Sequence, residues 1–310
     1  MSEYHVPVML KECVDGLQLK PGGVYVDLTF GGGGHSSEIL KALPEGASLY
    51  SFDQDDDAAG IAATIQDERF HFVASNFRYL KKYLRLHGIK KVDGILADLG
   101  ISSHQIDVPE RGFSFRFDAD LDMRMDQSAE KDARFVINTY SESALHKIFG
   151  IYGEVKNAKT LAAKIITKRS EGDLNTVFEF LNAIDSCIPP RERNKYLAKV
   201  FQAIRIEVND EIKALEEVIL QLPDVLATDG LLVVMAYHSL EDRLVKNFIA
   251  KGKLFGEQDK DIYGNVQKPL DSITRKPTIA NAEELERNPR ARSAKLRIAK
   301  RNEQSWERTD

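Results

Sequence analysis

Two hydrophobic rhythms divide the chain. Short runs rich in β-branched and aromatic residues, at 24–28, 48–53, 70–77 and 92–100, have the length of buried strands, and between them apolar residues recur at helical spacing, as in Ile39, Leu40 and Leu43 and over residues 80–86. Strands alternating with helices predict an α/β fold, a parallel, doubly wound, Rossmann-like sheet with its ligand crevice at the carboxyl ends of the strands. Asp27, Asp53, Phe77 and Asp98 all fall at that rim. After Gly100 the rhythm changes to an aromatic and basic loop at 111–118 and helical patterns at 141–149, 155–169, 174–187 and 195–222, and a strand returns only at 230–237. A helical domain, residues 109–213, is therefore expected to interrupt a discontinuous α/β domain formed by residues 1–108 and 214–310.

The first strand runs into Thr29-Phe30-Gly31-Gly32-Gly33-Gly34-His35-Ser36. Glycines at a strand-to-helix turn permit positive φ and remove the Cβ atoms that would hold a ligand off the backbone, so a small-molecule cofactor is expected there. A dinucleotide fingerprint requires a further glycine where Ser36 or Ser37 stands, and a Walker A loop requires Gly-Lys-Ser/Thr where Gly34 is followed by His35. Asp53, about twenty residues beyond the glycines, occupies the place of a ribose-binding carboxylate. A nucleoside-bearing cofactor without a strong pyrophosphate site points to S-adenosylmethionine. Ser36 or Ser37 is expected to cap the helix after the loop, and Ser239 with Asp242 to form a capping box before Leu244, Val245 and Phe248.

Composition narrows the classes. At 310 residues and 43% hydrophobic content the chain can bury a core, and its net charge of −5 argues against general coating of nucleic acid, leaving only confined basic surfaces. The strongest such surface is 288–301, with Arg290, Arg292, Lys295 and Arg297, which can grip phosphates or form a solvated charge run. Arg205, Asn209 and Glu211 interrupt an otherwise apolar helical stretch, as a satisfied polar cluster or as a substrate contact. Cys13 and Cys187 are far apart and show no metal-ligand spacing, so neither zinc nor a disulfide framework is indicated. No charged-then-apolar leader opens the sequence and the longest apolar run is short, so a cytoplasmic protein with no membrane insertion is expected.

Several stretches taken in order, His5-Val6-Pro7-Val8-Met9-Leu10, the glycine loop, Asp98-Leu99-Gly100-Ile101-Ser102-Ser103-His104-Gln105, Gly112-Phe113-Ser114-Phe115, Phe201-Gln202-Ala203-Ile204-Arg205, Tyr237-His238-Ser239-Leu240-Glu241-Asp242-Arg243 and Asn288-Pro289-Arg290-Ala291-Arg292-Ser293, resemble the bacterial small-subunit (16S) ribosomal RNA cytosine-N4 methyltransferase family, RsmH or MraW. The resemblance spans nearly the whole chain. It implies a class I methyltransferase sheet with an inserted helical substrate-recognition domain, S-adenosylmethionine as cofactor, Gly33, Gly34 and His35 in its loop, Asp53 on the ribose, and Phe77, Asp98 and Gln105 lining the adenosine pocket. It also implies small-subunit RNA, in an assembled or nearly assembled subunit, as partner, and a homodimer is a further expectation.

Methyl transfer from a sulfonium requires in-line positioning of the nucleophile and no metal. The lone pair of a cytosine N4 is delocalised into its ring, so an acceptor for its N–H would help, and Asp98, Asp27 or a nearby carbonyl are the candidates, with Tyr237 at the same rim. Phe113, Phe115 or Tyr237 can stack on an extruded base, and Arg205, Arg290, Arg292 and Lys295 complete the candidate RNA contacts. Competing readings are a methyltransferase of another RNA, a small molecule or a protein, and a noncatalytic RNA-binding assembly factor.

Overall fold

The computed structural model describes residues 7–260, 264–304 and 306. His5, part of the first motif, lies outside them. The chain divides into two compact units, one of residues 1–100 and 212–310, the other of residues 101–211.

In the first unit seven strands, β1 (Val24–Asp27), β2 (Ser48–Asp53), β3 (Phe70–Ala74), β4 (Val92–Asp98), β5 (Leu226–Ala236), β6 (Leu270–Ser272) and β7 (Lys295–Arg301), form one sheet in the order β3-β2-β1-β4-β5-β7-β6. The pairings among β1 to β5 are parallel, with Val26 opposite both Tyr50 and Ile95, whereas β7 runs antiparallel to β5 and to β6. The expected parallel doubly wound core is therefore extended by an antiparallel edge made from the basic C-terminal stretch. In that stretch Leu296 and Ala299 are buried on opposite faces of the sheet among part-exposed cations, which suits a strand better than a free tail.

Side chains alternate across the sheet as its period of two requires. Tyr25, Leu49, Leu96 and Val233 join one core with residues of helices α1 (Leu10–Gly16) and α2 (Gly34–Ala42). Val26, Tyr50, Ile95 and Val234 join the other, with residues of the helices at Leu80–Leu86, Glu211–Ile219 and Ser239–Lys251. In chain order these are α4, α11 and α13; α3 is Asp56–Ala62, α12 is Leu222–Val225 and α14 is Ala282–Arg287.

The second unit holds α5 (Ser103–Asp107), α6 (Ala133–Thr139), α7 (Glu142–Ile151), α8 (Ala158–Arg169), α9 (Val177–Ile184) and α10 (Arg193–Asn209) around its own core of Phe149, Leu161, Phe180, Val200 and Ile204. The helical pattern at 195–222 is cut at Asp210, whose left-handed φ of 54° ends α10. Capping sets the other edges: the Thr176 hydroxyl accepts the Glu179 N–H, with Glu179 returning to the Thr176 N–H, so α9 starts at Val177 rather than near Leu174. This compact unit spans Ile101–Glu211, and within it Ser102 and Gln105 fix the start of α5 by a capping box. Among the described residues no helix is long and apolar enough to cross a membrane.

Candidate active site

Strand order reverses between β1 and β4, and at the carboxyl ends of these two strands the site can be built atom by atom. Asp27 closes β1 and is fully buried; its Oδ1 accepts the Thr29 N–H at 3.0 Å and its Oδ2 the Ser36 hydroxyl at 2.6 Å. Ser36 in turn meets the Ser51 hydroxyl on β2 at 2.8 Å, and the Thr29 hydroxyl accepts the Asp98 N–H at 2.7 Å, so three strand tips are tied together. Asp27 is committed to this bracing rather than presented to an acceptor amine. Ser36, expected as a helix cap, is instead an internal strut; the cap of α2 is Gly33, at φ 75°.

The loop itself is held against aromatic and proline surfaces. A Cβ on Gly33 would lie 2.8 Å from the Phe30 ring and one on Gly34 would lie 2.3 Å from Pro7 Cγ. Phe30 is itself fixed edge-on to Phe72, centroids 5.3 Å apart. The backbone can follow this path only without side chains at those positions.

Asp53, at the tip of β2, receives the Gly31 N–H at 2.7 Å and the Asp55 N–H at 3.0 Å. Burial pushes its carboxyl up to about 6. Beside it, the Asn76 amide donates to Gln54 Oε1 at 2.8 Å and its carbonyl caps a single 3-10 turn that starts at Phe77, which places half-buried Phe77 just beyond β3.

Asp98, at the tip of β4, is likewise pushed by burial up to about 6, against the pull of His35. His35 Nε2 faces the Val8 carbonyl at 3.3 Å and Nδ1 faces Asp98 Oδ2 at 3.6 Å. A carbonyl only accepts, so Nε2 carries hydrogen, and the contact at Nδ1 is attractive only with a further proton between ring and carboxylate. Asp98 Oδ1 is buried and accepts no hydrogen bond among the described residues. Tyr237 stands next to it with its phenol held well above the usual range, first by burial and then by the Asp98 charge.

After Tyr237 the chain turns into α13, and Glu241, 3% exposed, accepts the Tyr237 and His238 N–H groups at 2.9 and 3.3 Å. His238 Nδ1 accepts the Glu241 N–H, so the capping box runs from His238 to Glu241, not from Ser239 to Asp242. Asp242 instead holds Arg297 Nε at 2.7 Å and Lys295 Nζ at 3.4 Å, which draws two expected phosphate ligands into an ion-pair cluster within the first unit. Arg290 and Arg292 lie in a short 3-10 turn, Pro289–Ser293, with Arg292 exposed.

Within the second unit, Arg205 donates Nε and Nη2 to the two Glu211 oxygens at 2.8 and 3.0 Å, the two side chains 12% and 13% exposed. The cluster reading of this stretch holds over substrate contact. Phe113 is buried in the helical core, its ring 5.8 Å from the Arg111 guanidinium, and is no free stacking surface. Phe115 is half-buried, edge-on to Phe201 at 5.5 Å, and lines a cavity with Arg116, Leu181 and Arg193. Gln105 is 5% exposed and its Oε1 receives the Ser102 N–H at 3.1 Å in the second unit. Among the described residues no group of three or more His, Cys, Asp or Glu is disposed to hold a metal ion.

A glycine loop with acids at the tips of the two flanking strands, on a sheet of this order, invites comparison with known methylases. The model of the MraW methylase family matches residues 2–302. The chain belongs to that family. The protein named ribosomal RNA small subunit methyltransferase H of Cytophaga hutchinsonii is 55% identical over 298 residues, 96% of this chain and 99% of that one. The proteins of the same name from Phocaeicola vulgatus and Flavobacterium johnsoniae are each 52% identical, over 96% of this chain and 97% and 98% of theirs. Membership in this family makes the chain an S-adenosylmethionine-dependent methyltransferase. Thr29 and Glu241 are the site residues that residue-by-residue reading left unassigned, and Ser36 had been read only as a cap. The spacing of His238 to Glu241 was the available signal for the last, since an imidazole nitrogen can accept a cap hydrogen bond as a hydroxyl does.

Proposed function

We propose that this chain transfers a methyl group from S-adenosylmethionine to the exocyclic N4 of a cytosine in small-subunit (16S) ribosomal RNA. The observation that carries the reading is the Asp98 carboxyl, which meets the Tyr237 side chain but whose buried Oδ1 has no hydrogen-bond partner among the described residues, at the switch point of a methylase sheet. Leaving such a group unmet costs about 1–3 kcal/mol, which a ligand N–H or O–H would recover. The names of relatives half or more identical to this chain supply the RNA.

S-adenosylmethionine supplies an electrophilic methyl group on sulfur. Its fit rests on the Cβ-free path at Gly33 and Gly34, the Asp53 carboxylate for the ribose hydroxyls, and half-buried Phe77 for the adenine face. Asp98, ionised at neutral pH with a carboxyl at about 6, can accept a hydrogen bond from the donor or from the target amine. Asp27, Thr29 and Ser36 keep the strand tips in register, and Glu241 holds the Tyr237–His238 corner, so positioning supplies the catalysis. Tyr237 remains a neutral phenol and can line the target base.

Chemistry at cytosine C5 would require a thiolate to add at C6. Cys13 is fully buried with its thiol pushed well up by that burial, and Cys187 is buried in the helical unit with its thiol also raised by burial. Neither serves that role. Small subunits from cells lacking the protein, methylated in vitro and digested to nucleosides, should yield N4-methylcytidine. A Cys13→Ser, Cys187→Ser double variant should retain most of the activity. A C5 product, or no transfer to RNA by the folded protein, overturns the reading.

A further inference from the structure

The far end of the same sheet carries a second feature, built by the stretch from Arg78 to Lys91. It contains Arg78, Lys81, Lys82, Arg85, Lys90 and Lys91 and no Asp or Glu, in a chain of net charge −5. Arg78 is neutralised by Glu217 at 2.7 Å and Lys81 by Asp224, while Lys91 Nζ reaches the Pro223 and Leu226 carbonyls at 3.4 and 3.2 Å. Lys82, Arg85 and Lys90 have no carboxylate partner among the described residues. Lys82 sits 5.8 and 5.7 Å from the Tyr79 and Tyr83 rings, on the same helix face as Arg85.

Two of these cations lie on a formed groove. Arg85, Lys90, Ile89, Val225 and the paired Lys81 and Asp224 line a cavity of about 400 Å³. Its wall is fixed by the end of α4: Gly88, at φ 74°, lets its own N–H return to the Arg85 carbonyl at 3.0 Å and the Ile89 N–H to the Leu84 carbonyl at 2.8 Å. This pair of bonds is the Schellman arrangement, with Ile89 against buried Leu84 as its apolar contact, and it folds Lys90 back beside Arg85. One cation in the last turn of α4 would complement the helix dipole. Arg85 and Lys90 on the groove, with Lys82 on the same helix face as Arg85, exceed that need.

Its lining residues Lys90 and Val225 come just before Val92 and Leu226, which pair at the amino ends of β4 and β5, whereas Asp98 stands at the carboxyl end of β4. Seven strand residues separate the two by about 20 Å. We propose that this groove binds backbone phosphates of the same RNA that presents its cytosine at Asp98, and that the substrate is therefore a folded RNA long enough to reach both ends of the sheet. The inference rests on the RNA methylation reading above. Phosphate binding by unpaired Lys and Arg releases counterions and gives the affinity a salt dependence of roughly 0.7 to 0.9 per contact in log–log slope.

The test is a Lys82→Gln, Arg85→Gln, Lys90→Gln variant, compared with wild type in salt-dependent binding of full-length small-subunit RNA and of a short oligonucleotide carrying the target cytosine. For the long RNA the slope should fall by about 2 and the affinity at 0.15 M salt by about tenfold. Oligonucleotide binding, S-adenosylmethionine affinity and melting temperature should not change. In methylation of small subunits KM should rise and kcat stay constant. Equal slopes on the long RNA, or the same loss on the oligonucleotide, would overturn the groove. A wild type that shows the groove-dependent slope but transfers no methyl group would instead overturn the function it rests on.

Discussion

The strand tips of the α/β unit and the polar knot of the helical unit both bury charged groups, and they satisfy them differently. In the knot, Arg205 meets both oxygens of Glu211, and Asn209 spends Oδ1 on the Met125 N–H at 2.7 Å and Nδ2 on the Met123 and Arg205 carbonyls at 2.8 and 2.9 Å. Arg111 likewise donates to the Arg124 and Met125 carbonyls at 2.8 and 3.3 Å. The chain answers its own polar groups there, and the result is to clamp the irregular segment around Met123 and Met125 onto α10. At the strand tips Asp27 is answered in this way, and Asp53 by the Gly31 and Asp55 N–H groups. Burial still holds Asp53 and Asp98 protonation-prone, and one Asp98 oxygen has no partner among the described residues. Buried polarity that closes on itself is scaffold; buried polarity left open is where a ligand belongs.

The largest effect expected from this contrast is structural. Arg205→Ala would leave the Glu211 carboxylate, 13% exposed, without its bidentate partner, and breaking such a buried pair costs about 3–5 kcal/mol. Thermal unfolding should show a much lower melting temperature, with S-adenosylmethionine affinity retained by the folded protein. An unchanged melting temperature with weakened RNA binding would move Arg205 from scaffold to substrate contact.

At the open site the effect should fall on the ligand. Asp53→Ala should weaken S-adenosylmethionine binding by about 1.5–3 kcal/mol, the range for hydrogen bonds to a charged group, with little change in unfolding. Calorimetry on the folded variant decides it, and an unchanged dissociation constant would remove Asp53 from the site.

Acid should separate the two regions in sign. Asp53 and Asp98 have folded carboxyls at about 6 against an unfolded value of 3.8, so between these values the native state binds more protons. Their contribution to stability is therefore greatest below about 4, declines as pH rises to about 6, and is flat above that. Each group can shift stability by up to about 3 kcal/mol across that window. Asp122 in the helical unit behaves oppositely: burial pushes its carboxyl up, but the Arg124 guanidinium, at 2.7 and 2.9 Å, holds it below the usual range. Its contribution is present at neutral pH and is lost as pH falls through its lowered value. Denaturant unfolding from pH 3 to 8 should lose the decline between 4 and 6 in an Asp53→Asn, Asp98→Asn variant, while an Asp122→Asn variant keeps it.

What could be read from residues alone follows the same division. Strand and helix periods placed β1, β2 and β4 and put Asp27, Asp53 and Asp98 at their ends, because apolar period and turn glycines are local properties. The fate of single polar side chains was not local. Ser36 has the chemistry of a cap but lies opposite Asp27 and Ser51, which only the strand pairing reveals. Phe113, a stacking candidate by type, is taken into the helical core, and Arg205, open between cluster and substrate contact, is paired with Glu211 six residues on. The basic C-terminal stretch hid a strand behind its charge, and its pairing with β5 is what brings Arg297 to Asp242.

That pairing gives the smallest expected effect and the finest test of the contrast. Arg290 and Arg292 precede β7, with Arg292 exposed, whereas Arg297 and Asp242 are both 13% exposed in their ion pair. If only exposed cations reach phosphates, Arg292→Gln should flatten the salt dependence of RNA binding by roughly 0.7 and leave unfolding nearly unchanged. Arg297→Gln should do the reverse, keeping the salt slope and lowering stability, because it strips a charged hydrogen bond from Asp242 worth about 1.5–3 kcal/mol. The same salt slope in the Arg292→Gln variant and wild type would return that side chain to solvated charge. A flattened slope in Arg297→Gln at unchanged stability would mean that Asp242 releases its arginine to the RNA.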